Sequence, residues 1–423
     1  MQSQGNLQHP RQYPVSQWIA QRQDGICQLP VGAAWFDVFP WQEAFDKKAL
    51  TLVVYPNQNL LKNHAFRLHL MGAQDFETLT SDTAPHAERY LWERLANGET
   101  PVLLMTARKL QSVYSLGQLI RHPNLGPILI QQAHQVVPHL WGPVANPYYK
   151  LCDFFQNQWP HHPPLILFTH PLNSTKLSQL AMHFMLKQPF AYRILMPLEN
   201  LQLNVERHVT QHQKLRALKD RIGAPHPQTA SITLVICQSL KAIYLLENAL
   251  QRFHPTVIHH RLDERTCESR LLAVLQKDEP VVLLESEMLD KLPSHLFSAE
   301  EIHLIHWQMP WSPEAFVQQV LPATKNAHTM VKATVLYSKE DFIRQKNRLK
   351  SYFSEDFVSL SASVDHLNRL RLGYRSMGIC RYIQLKNWLG ERLKSTEDCK
   401  TCDVCLNRSV SSRWMNIISA FLY

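Results

Sequence analysis

The sequence predicts an α/β protein with two parallel-sheet domains, followed by a small helical metal-binding domain. Short β-branched runs alternate with amphipathic stretches over most of the chain, a pattern typical of parallel sheets covered by helices. The alternation starts again after the turn-rich stretch "GAPHPQTAS" at 223–231. Three of the eight cysteines then fall within "CKTCDVC" at 399–405. Together these observations predict domains over residues 1–205, 206–342 and 343–423.

Each of the first two domains contains five predicted strands. In the first domain these are "GICQL", "LTLVVYP", "PVLLMTA", "GPILIQQ" and "PLILFT", with predicted helices at "HAERYLWERLAN" and "KLSQLAMHFML". In the second they are "ITLVICQ", "VIHH", "VVLLES", "IHLIHW" and "KATVLYS", separated by the helices "LKAIYLLENALQRF", "CESRLLAVLQK" and "PEAFVQQVL". From about residue 340 the strands cease, and a basic helical segment leads into the cysteines.

Composition and charge indicate a globular protein with a polyanionic partner. The 423 residues are enough for two or three domains, and 45% of them are apolar. The formal net charge of +9 and the pI of about 9.1 favour nucleic acid as the partner. The start "MQSQGNLQHP" is polar, and no apolar run approaches about eighteen residues. We therefore expect no membrane partner and a cytoplasmic, nucleoid-associated protein.

Glycine is scarce, with 12 residues in 423. A phosphate-binding loop needs glycines because its backbone N–H groups must approach the phosphates closely. Neither G-x-x-x-x-G-K-[ST] nor G-x-G-x-x-G occurs in the chain. The sequence therefore predicts a poor nucleotide binder, and ATP and magnesium are not expected as cofactors.

Four cysteines near the end of the sequence have the spacing of a metal site. Cys399, Cys402 and Cys405 follow a C-x₂-C-x₂-C pattern, and Cys380 lies eighteen intervening residues upstream. Zinc prefers four nitrogen or sulfur ligands in a tetrahedron, and two-residue spacers let one turn present several thiolates. Free thiols and an iron–sulfur cluster are the alternatives. Four thiolates leave no open coordination position, so we expect a structural zinc.

Positive charge is concentrated around these cysteines. Residues 339–413 contain 15 lysines and arginines against 9 acidic residues, an excess of +6. A solvated helix face explains scattered basic residues, whereas a concentrated excess beside a metal site indicates contact with phosphates. The expected DNA contacts in this segment are Arg344, Lys346, Arg348, Arg381 and Lys386.

A cysteine that opens a basic helix, followed by "LGE" and then by "CDVC", resembles the zinc-binding domain of RecQ-type DNA helicases. This resemblance implies two RecA-like motor domains upstream, and it extends in order over nearly the whole chain. "HPRQ", with Pro10 and Gln12, resembles the glutamine motif of the family. "CQLPVGAAWF" stands at the phosphate loop, "ILIQQAHQVV" at Walker B, "LWGPVANPYY" at the aromatic-rich loop and "IHWQMPWSPEAFVQQVLPATKNAH" at motif six.

The departures from the family pattern fall in the nucleotide site. The phosphate-loop segment keeps Gly32 but has Trp35 at the lysine position and Phe36 at the hydroxyl position. The Walker B acids are replaced by Gln131 and Gln132, neutral amides that hold magnesium poorly and do not polarise an attacking water. The resemblance therefore implies a vestigial nucleotide site and the loss of ATP hydrolysis.

Motif six and the aromatic-rich loop depart in part as well. Motif six keeps Gln318, but Lys325 stands at a position where the family has an arginine that contacts the γ-phosphate. The aromatic-rich loop keeps Trp141, which we expect to stack on a base, although a buried core position is the alternative. The eighteen residues after Cys405 are too few for the winged helix that usually follows in the family.

These features predict a RecQ-like pseudo-helicase. It would bind single-stranded or junction DNA without ATP-driven unwinding, in DNA repair, recombination or processing. A second hypothesis is an interaction scaffold, in which the former ATP cleft, lined by Trp35 and Phe36, packs against a protein partner that acts on DNA. A third is an active ATP-dependent 3'–5' DNA helicase.

Overall fold

The computed structural model of the chain describes the residues 15–29, 33–39, 49–137, 147–157, 159, 162–194, 200–223, 231–274, 276–277, 280–292, 299–324, 326, 328–354, 356–375, 379–390 and 399–407. The chain forms two compact units. One comprises Met1–Pro138 and Val144–Leu195, and the other comprises His139–Pro143 and Met196–Tyr423.

The first unit is built on a seven-stranded parallel sheet with the strand order β3-β4-β2-β5-β6-β1-β7. Its strands are β1 (Gly25–Gln28), β2 (Leu50–Tyr55), β3 (Phe76–Leu79), β4 (Val102–Thr106), β5 (Leu125–Ile130), β6 (Leu165–Thr169) and β7 (Phe190–Arg193). Its helices are α1 (Val15–Ala20), α2 (Gln58–Leu70), α3 (Pro85–Ala96), α4 (Ala107–Leu110), α5 (Val113–Arg121), α6 (Tyr149–Asn157) and α7 (Ser174–His183). All residues of β1, β2, β4 and β6 are buried, which explains their continuous apolar runs.

The second unit contains a six-stranded parallel sheet with the strand order β10-β11-β9-β12-β13-β8. Its strands are β8 (Leu201–His208), β9 (Ser231–Cys237), β10 (Thr256–Ile258), β11 (Val281–Glu285), β12 (Glu301–His306) and β13 (Met330–Ser338). The helices between them are α8 (Gln211–Ile222), α9 (Leu240–Ala249), α10 (Glu264–Val274) and α11 (Pro313–Val320). The predicted pair of parallel sheets covered by helices is thus confirmed.

Three strands were not predicted, and each is the edge strand of a sheet. β3 and β7 are the two edges of the first sheet, and β8 is an edge of the second. These strands are partly exposed, so their sequences lack the long apolar runs of the central strands. The boundary predicted at 205/206 falls inside β8, which pairs with β13.

A helical segment follows the second sheet, as the sequence predicts. It consists of α12 (Lys339–Tyr352), α13 (Phe357–Arg375) and α14 (Arg381–Trp388), and it leads to the four cysteines. Helix α12 begins directly after β13 because the Ser338 hydroxyl accepts the N–H of Asp341 at 3.2 Å. Asp341 also accepts a hydrogen bond from the Lys214 ammonium at 2.7 Å, an ion pair that is entirely inside the unit. This pair joins α12 to α8.

Among the described residues, no helix has both the length and the apolar character needed to cross a membrane.

Candidate metal centre and the phosphate-loop position

The four predicted cysteines lie together at the end of the helical segment. The sulfur atoms of Cys380, Cys399, Cys402 and Cys405 are all within 4.8 Å of one another. The Sγ atoms of Cys399 and Cys405 are 3.9 Å apart. Zinc–sulfur bonds of about 2.3 Å in a tetrahedron separate the sulfurs by about 3.8 Å. The donor set and its spacing therefore fit one tetrahedral metal ion with thiolate ligands.

Local backbone geometry brings the cysteines together. Cys380 is the residue before helix α14, and its Sγ accepts the backbone N–H of Cys399 at 3.4 Å. Lys400, between the first two loop cysteines, adopts the left-handed conformation with φ of 62°. This conformation is uncommon for a residue with a side chain and turns the chain sharply toward Cys402.

Thiol acidity differs among the loop cysteines. Burial raises the pKa of Cys399, but hydrogen bonds from Thr401 and Cys402 outweigh burial and lower that pKa to about 7. Burial raises the pKa of the Cys402 and Cys405 thiols. Metal ligation requires all of them as thiolates, so metal binding at this centre releases protons.

Arg381 is part of the framework of the metal centre. Its guanidinium donates to both carboxylate oxygens of Asp403, at 3.0 and 2.9 Å, and to the carbonyl of Gly373 at 2.7 Å. Its exposed fraction is only 5%. These bonds tie the end of α13 and the start of α14 to the cysteine loop. The sequence led us to expect a contact between Arg381 and a DNA phosphate. The structure corrects this expectation, because the guanidinium is buried and already bonded within the protein.

The other basic residues expected to contact DNA are more accessible. Arg344 is exposed and pairs with Glu340 at 3.1 Å, one turn earlier on α12. Lys346 and Lys386 are half-buried. Arg348 is exposed, and it donates to the carbonyl of Gln238 at 2.8 Å.

The segment that resembles a phosphate loop is filled by aromatic side chains. Trp35 begins a short 3₁₀ helix after β1 and is fully buried. Its indole N–H donates to the Tyr55 hydroxyl at 3.1 Å. Its ring centroid lies 5.5 Å from that of Phe36 and 6.0 Å from that of Phe39. At this point the first unit therefore has a packed core, and Trp35 and Phe36 do not form the exposed cleft lining expected for a scaffold.

The backbone N–H next to this aromatic cluster already donates a hydrogen bond to a carboxylate. The Asp37 side chain accepts the N–H of Ala34 at 2.6 Å, and it pairs with Arg67 at 3.0 Å. The Arg67 guanidinium also lies 4.8 Å over the ring of Phe36. Phosphate binding by a loop depends on free backbone N–H groups and on an absence of nearby negative charge. Asp37 works against both conditions.

The segment that resembles Walker B has glutamine side chains on a backbone that is fixed by hydrogen bonds. The Gln131 N–H donates to the Val54 carbonyl at 2.9 Å, and Tyr148 donates its hydroxyl proton to the carbonyl of Gln131. The Gln131 side chain is buried, and within the described chain its Nε2 has no hydrogen-bond acceptor. Gln132 has a φ of 47°, and its side-chain oxygen accepts from Gln135 at 2.5 Å. Neither glutamine offers the negative charge that magnesium requires.

The sequence alone did not reveal a role for His134, which follows these glutamines. It is fully buried, and its Nδ1 accepts the backbone N–H of His170 at 3.2 Å. Burial and the neighbouring His170 lower the pKa of His134 well below its usual range, so its ring is neutral. His134 therefore connects the end of β5 to the segment after β6. Tyr55 and Asp37 were also missed, although a tyrosine ending an apolar strand is a signal that could have identified the first.

Of the other predicted site residues, only Gln318 is among the described residues. Gln318 lies half-buried on α11. Gln12, Gly32, Trp141 and Lys325 lie outside the described residues.

Similarity to known proteins is visible in the fold and not in the sequence. No family model matches the sequence, and no curated protein matches it. Mss116p bound to single-stranded RNA and AMP-PNP has a TM-score of 0.58 at 12% identity, over 91% of this chain and 86% of that one. Mycobacterium smegmatis helicase Lhr bound to ssDNA and AMP-PNP has a TM-score of 0.54 at 14% identity, over 81% of this chain. Dbp5 of S. cerevisiae bound to RNA and ADP BeF3 has a TM-score of 0.54 at 10% identity, over 82% of this chain and 89% of that one.

These similarities show a helicase fold. The two parallel-sheet domains are of the RecA-like type, and a helical segment with a four-cysteine cluster follows them. The match spans about half of the Lhr chain, 48%.

Proposed function

We propose that this chain is a RecQ-like pseudo-helicase that binds single-stranded or junction DNA without hydrolysing ATP. The observation that carries the proposal is the aromatic cluster around Trp35 at the phosphate-loop position. Two of the solved structures with this fold are bound to RNA and one to ssDNA, which supports nucleic acid as the partner. The net charge of +9 supports the same partner.

Binding a nucleotide at the position used by RecQ-type helicases would cost this protein free energy. To admit phosphates, the first unit would have to expose Trp35 and Phe36, at a cost of about 1.5–3 kcal/mol for each buried aromatic side chain. The hydrogen bond to Tyr55 and the Asp37 bond to Ala34 would be lost as well. No carboxylate at positions 131 and 132 would hold magnesium in return.

For DNA, we propose that exposed and half-buried basic residues of the helical segment contact phosphates and that Trp141 stacks on a base. Arg344, Lys346 and Arg348 belong to α12, and Lys386 belongs to α14. We propose zinc as the metal and a structural role for it, because four thiolates leave no open position for substrate. DNA repair or recombination, close to the nucleoid, is the setting that such binding would serve.

The test is a pair of measurements on the full chain. Fluorescence anisotropy should show binding to a single-stranded oligonucleotide at 50 mM salt that weakens as salt rises, because bound phosphates release counterions. An ATPase assay with the same oligonucleotide should show no turnover. DNA-stimulated hydrolysis that a change at Gln132 abolishes would refute the pseudo-enzyme proposal and favour an active helicase. An absence of DNA binding would refute the nucleic-acid part.

A second candidate function is protein docking, at a place different from the buried aromatic cluster. Helix α2 and the free edge strand β3 form a groove of about 420 Å³, lined by Phe66, Phe76 and Thr78 among others. Phe66 is exposed, and the lining contains Lys62 and His69 but no acidic residue. An extended acidic peptide would fit, because it could pair with the edge of β3 and place carboxylates near these basic side chains.

This second function is tested by comparing partners of two variants. Phe66→Glu should abolish a specific protein partner captured from nuclease-treated lysate, whereas Tyr90→Glu, an exposed change on α3, should retain it. Equal capture by both variants would exclude the groove. If the partner is lost only when nuclease is added, DNA rather than the groove connects the two proteins.

A further inference from the structure

Three arginines of the second unit lie near one tyrosine, one of them at the end of β8 and two at the end of α13. In the parallel register of these strands, Arg207 is directly opposite Tyr337. Arg371 and Arg375 are four residues apart on α13 and therefore share one face of that helix. The ring of Tyr374, also on α13, lies 6.3 Å from the ring of Tyr337. Two elements distant in sequence thus bring their arginines to one location.

None of these arginines has an acidic partner in the described part of the chain. Arg207 and Arg375 are exposed and form no ion pair or side-chain hydrogen bond there. Arg371 lies 4.4 Å over the ring of Phe342, and its Nε is buried without an acceptor. By contrast, Arg381 in the same unit is bonded to a carboxylate. The arginine group therefore carries an excess of positive charge that the described fold does not neutralise.

Tyr337 is within the electrostatic influence of all three arginines. Burial raises the pKa of Tyr337, and the positive charges of Arg371, Arg375 and Arg207 oppose that increase. Asp341 also acts on this hydroxyl, but its carboxylate already accepts hydrogen bonds from Lys214 and Ser338. The carboxylate is therefore not available to neutralise the arginines.

We propose that Arg207, Arg371 and Arg375 form a phosphate-binding cluster beside Tyr337. A guanidinium presents several N–H donors in a plane that matches two oxygens of a phosphate, and it remains charged at any physiological pH. Several guanidiniums around one point suit a tetrahedral anion with several oxygens. The ligand we infer is a phosphodiester of the nucleic-acid backbone, an assignment that rests on the proposed function. A phosphate group of a small molecule has the same chemistry.

A further observation is the Nε of Arg371, a buried donor for which the described residues offer no hydrogen-bond acceptor. Natural structures contain few such groups, and a bound ligand or ordered water is a common reason for them.

The test removes the two exposed arginines together. Each phosphate contact contributes about 0.7 to the slope of log affinity against log salt concentration. The double variant Arg207→Gln with Arg375→Gln should therefore make this slope shallower by about 1.4. At 0.1 M salt its affinity for a single-stranded oligonucleotide should be lower by roughly 25-fold. The matched control, Arg216→Gln with Arg265→Gln, removes the same charge from exposed positions on α8 and α10 and should change affinity far less. Circular dichroism checks that both double variants fold.

A second arm uses inorganic pyrophosphate, followed by the melting temperature of the full chain. Pyrophosphate should raise the melting temperature of the wild type and of the control, but not that of the Arg207/Arg375 variant. DNA binding that is equal in wild type and variant would overturn the phosphodiester assignment and leave the proposed function intact. If the chain binds no DNA but pyrophosphate still protects only the wild type, the cluster is a small-molecule phosphate site. If neither ligand distinguishes the variant, the cluster is refuted.

Discussion

The indole N–H of Trp35 donates to the hydroxyl of Tyr55 at 3.1 Å in the core of the first unit. The two residues are twenty positions apart, Trp35 at the start of the short 3₁₀ helix and Tyr55 at the end of β2, and both are fully buried. The Tyr55 hydroxyl also lies 3.3 Å from Nδ1 of His64 on α2. This network fills the position where the helicase resemblance places a phosphate-binding lysine.

Replacing Tyr55 by phenylalanine should destabilise the first unit by about 1–3 kcal/mol, because the buried indole N–H of Trp35 would lose its acceptor. Urea unfolding followed by tryptophan fluorescence measures the change. Tyr90→Phe, at an exposed tyrosine of α3, is the control and should change stability little. An unchanged midpoint for Tyr55→Phe would show that the hydrogen bond contributes nothing.

The purified protein should contain about one zinc ion per chain. Cys402→Ser should reduce the zinc content and destabilise the helical segment, because the energy of metal binding is also folding energy there. Cys267→Ser, a cysteine on α10 outside the cluster, is the control and should retain the metal. Elemental analysis decides between the metals: iron in place of zinc, or no metal at all, would contradict the assignment.

Breaking the bond between Arg381 and Asp403 should loosen the metal centre. Arg381→Ala leaves the Asp403 carboxylate without its partner, and losing one member of a buried ion pair costs about 3–5 kcal/mol. The expected result is faster zinc release to a chelator, followed with a metal-sensitive dye. Arg344→Ala, on the exposed surface of α12, should release zinc at the wild-type rate. If Arg381→Ala weakens DNA binding while zinc release stays normal, Arg381 contacts DNA after all.

Stability should fall in mild acid because of a buried histidine in the second unit. Burial lowers the pKa of His306 from 6.5 to about 3. In the unfolded chain this histidine takes up a proton near pH 6.5, whereas in the folded chain it does so only near pH 3. Its stabilising contribution is therefore complete above pH 6.5 and is lost as the pH falls toward 3, by at most about 1.4 kcal/mol per pH unit.

The measurement is the urea midpoint at pH 7.5 and pH 5.0 for wild type and His306→Gln. The variant should lose less stability than the wild type between these two pH values, since glutamine does not titrate. His134, whose pKa burial also lowers, is present in both proteins and cancels in the comparison. An identical pH dependence in both would show that His306 does not determine it.

Much of the fold follows from local patterns in the sequence. The central strands of both sheets, such as β2 and β9, are short apolar runs between turns, and every residue in them is buried. The cysteine cluster was also predicted, because two-residue spacing brings Cys399, Cys402 and Cys405 into one turn wherever the segment lies. The apolar runs and the cysteine spacing both depend on residues that are neighbours along the chain. They can therefore be recognised in the sequence without knowing which elements pack together.

The roles of individual polar and aromatic side chains depended on contacts between distant parts of the chain. The sequence predicts that Arg381 is an exposed base in a basic segment. In the structure, hydrogen bonds to Asp403, 22 residues later, hold its guanidinium inside the fold. The edge strands β3, β7 and β8 lack an apolar signature because, within the described residues, one side of each has no neighbouring strand. Whether a charge faces water or a carboxylate, and whether an aromatic residue fills a core or lines a cleft, is set by burial. Burial is a property of the assembled tertiary structure and not of the local sequence.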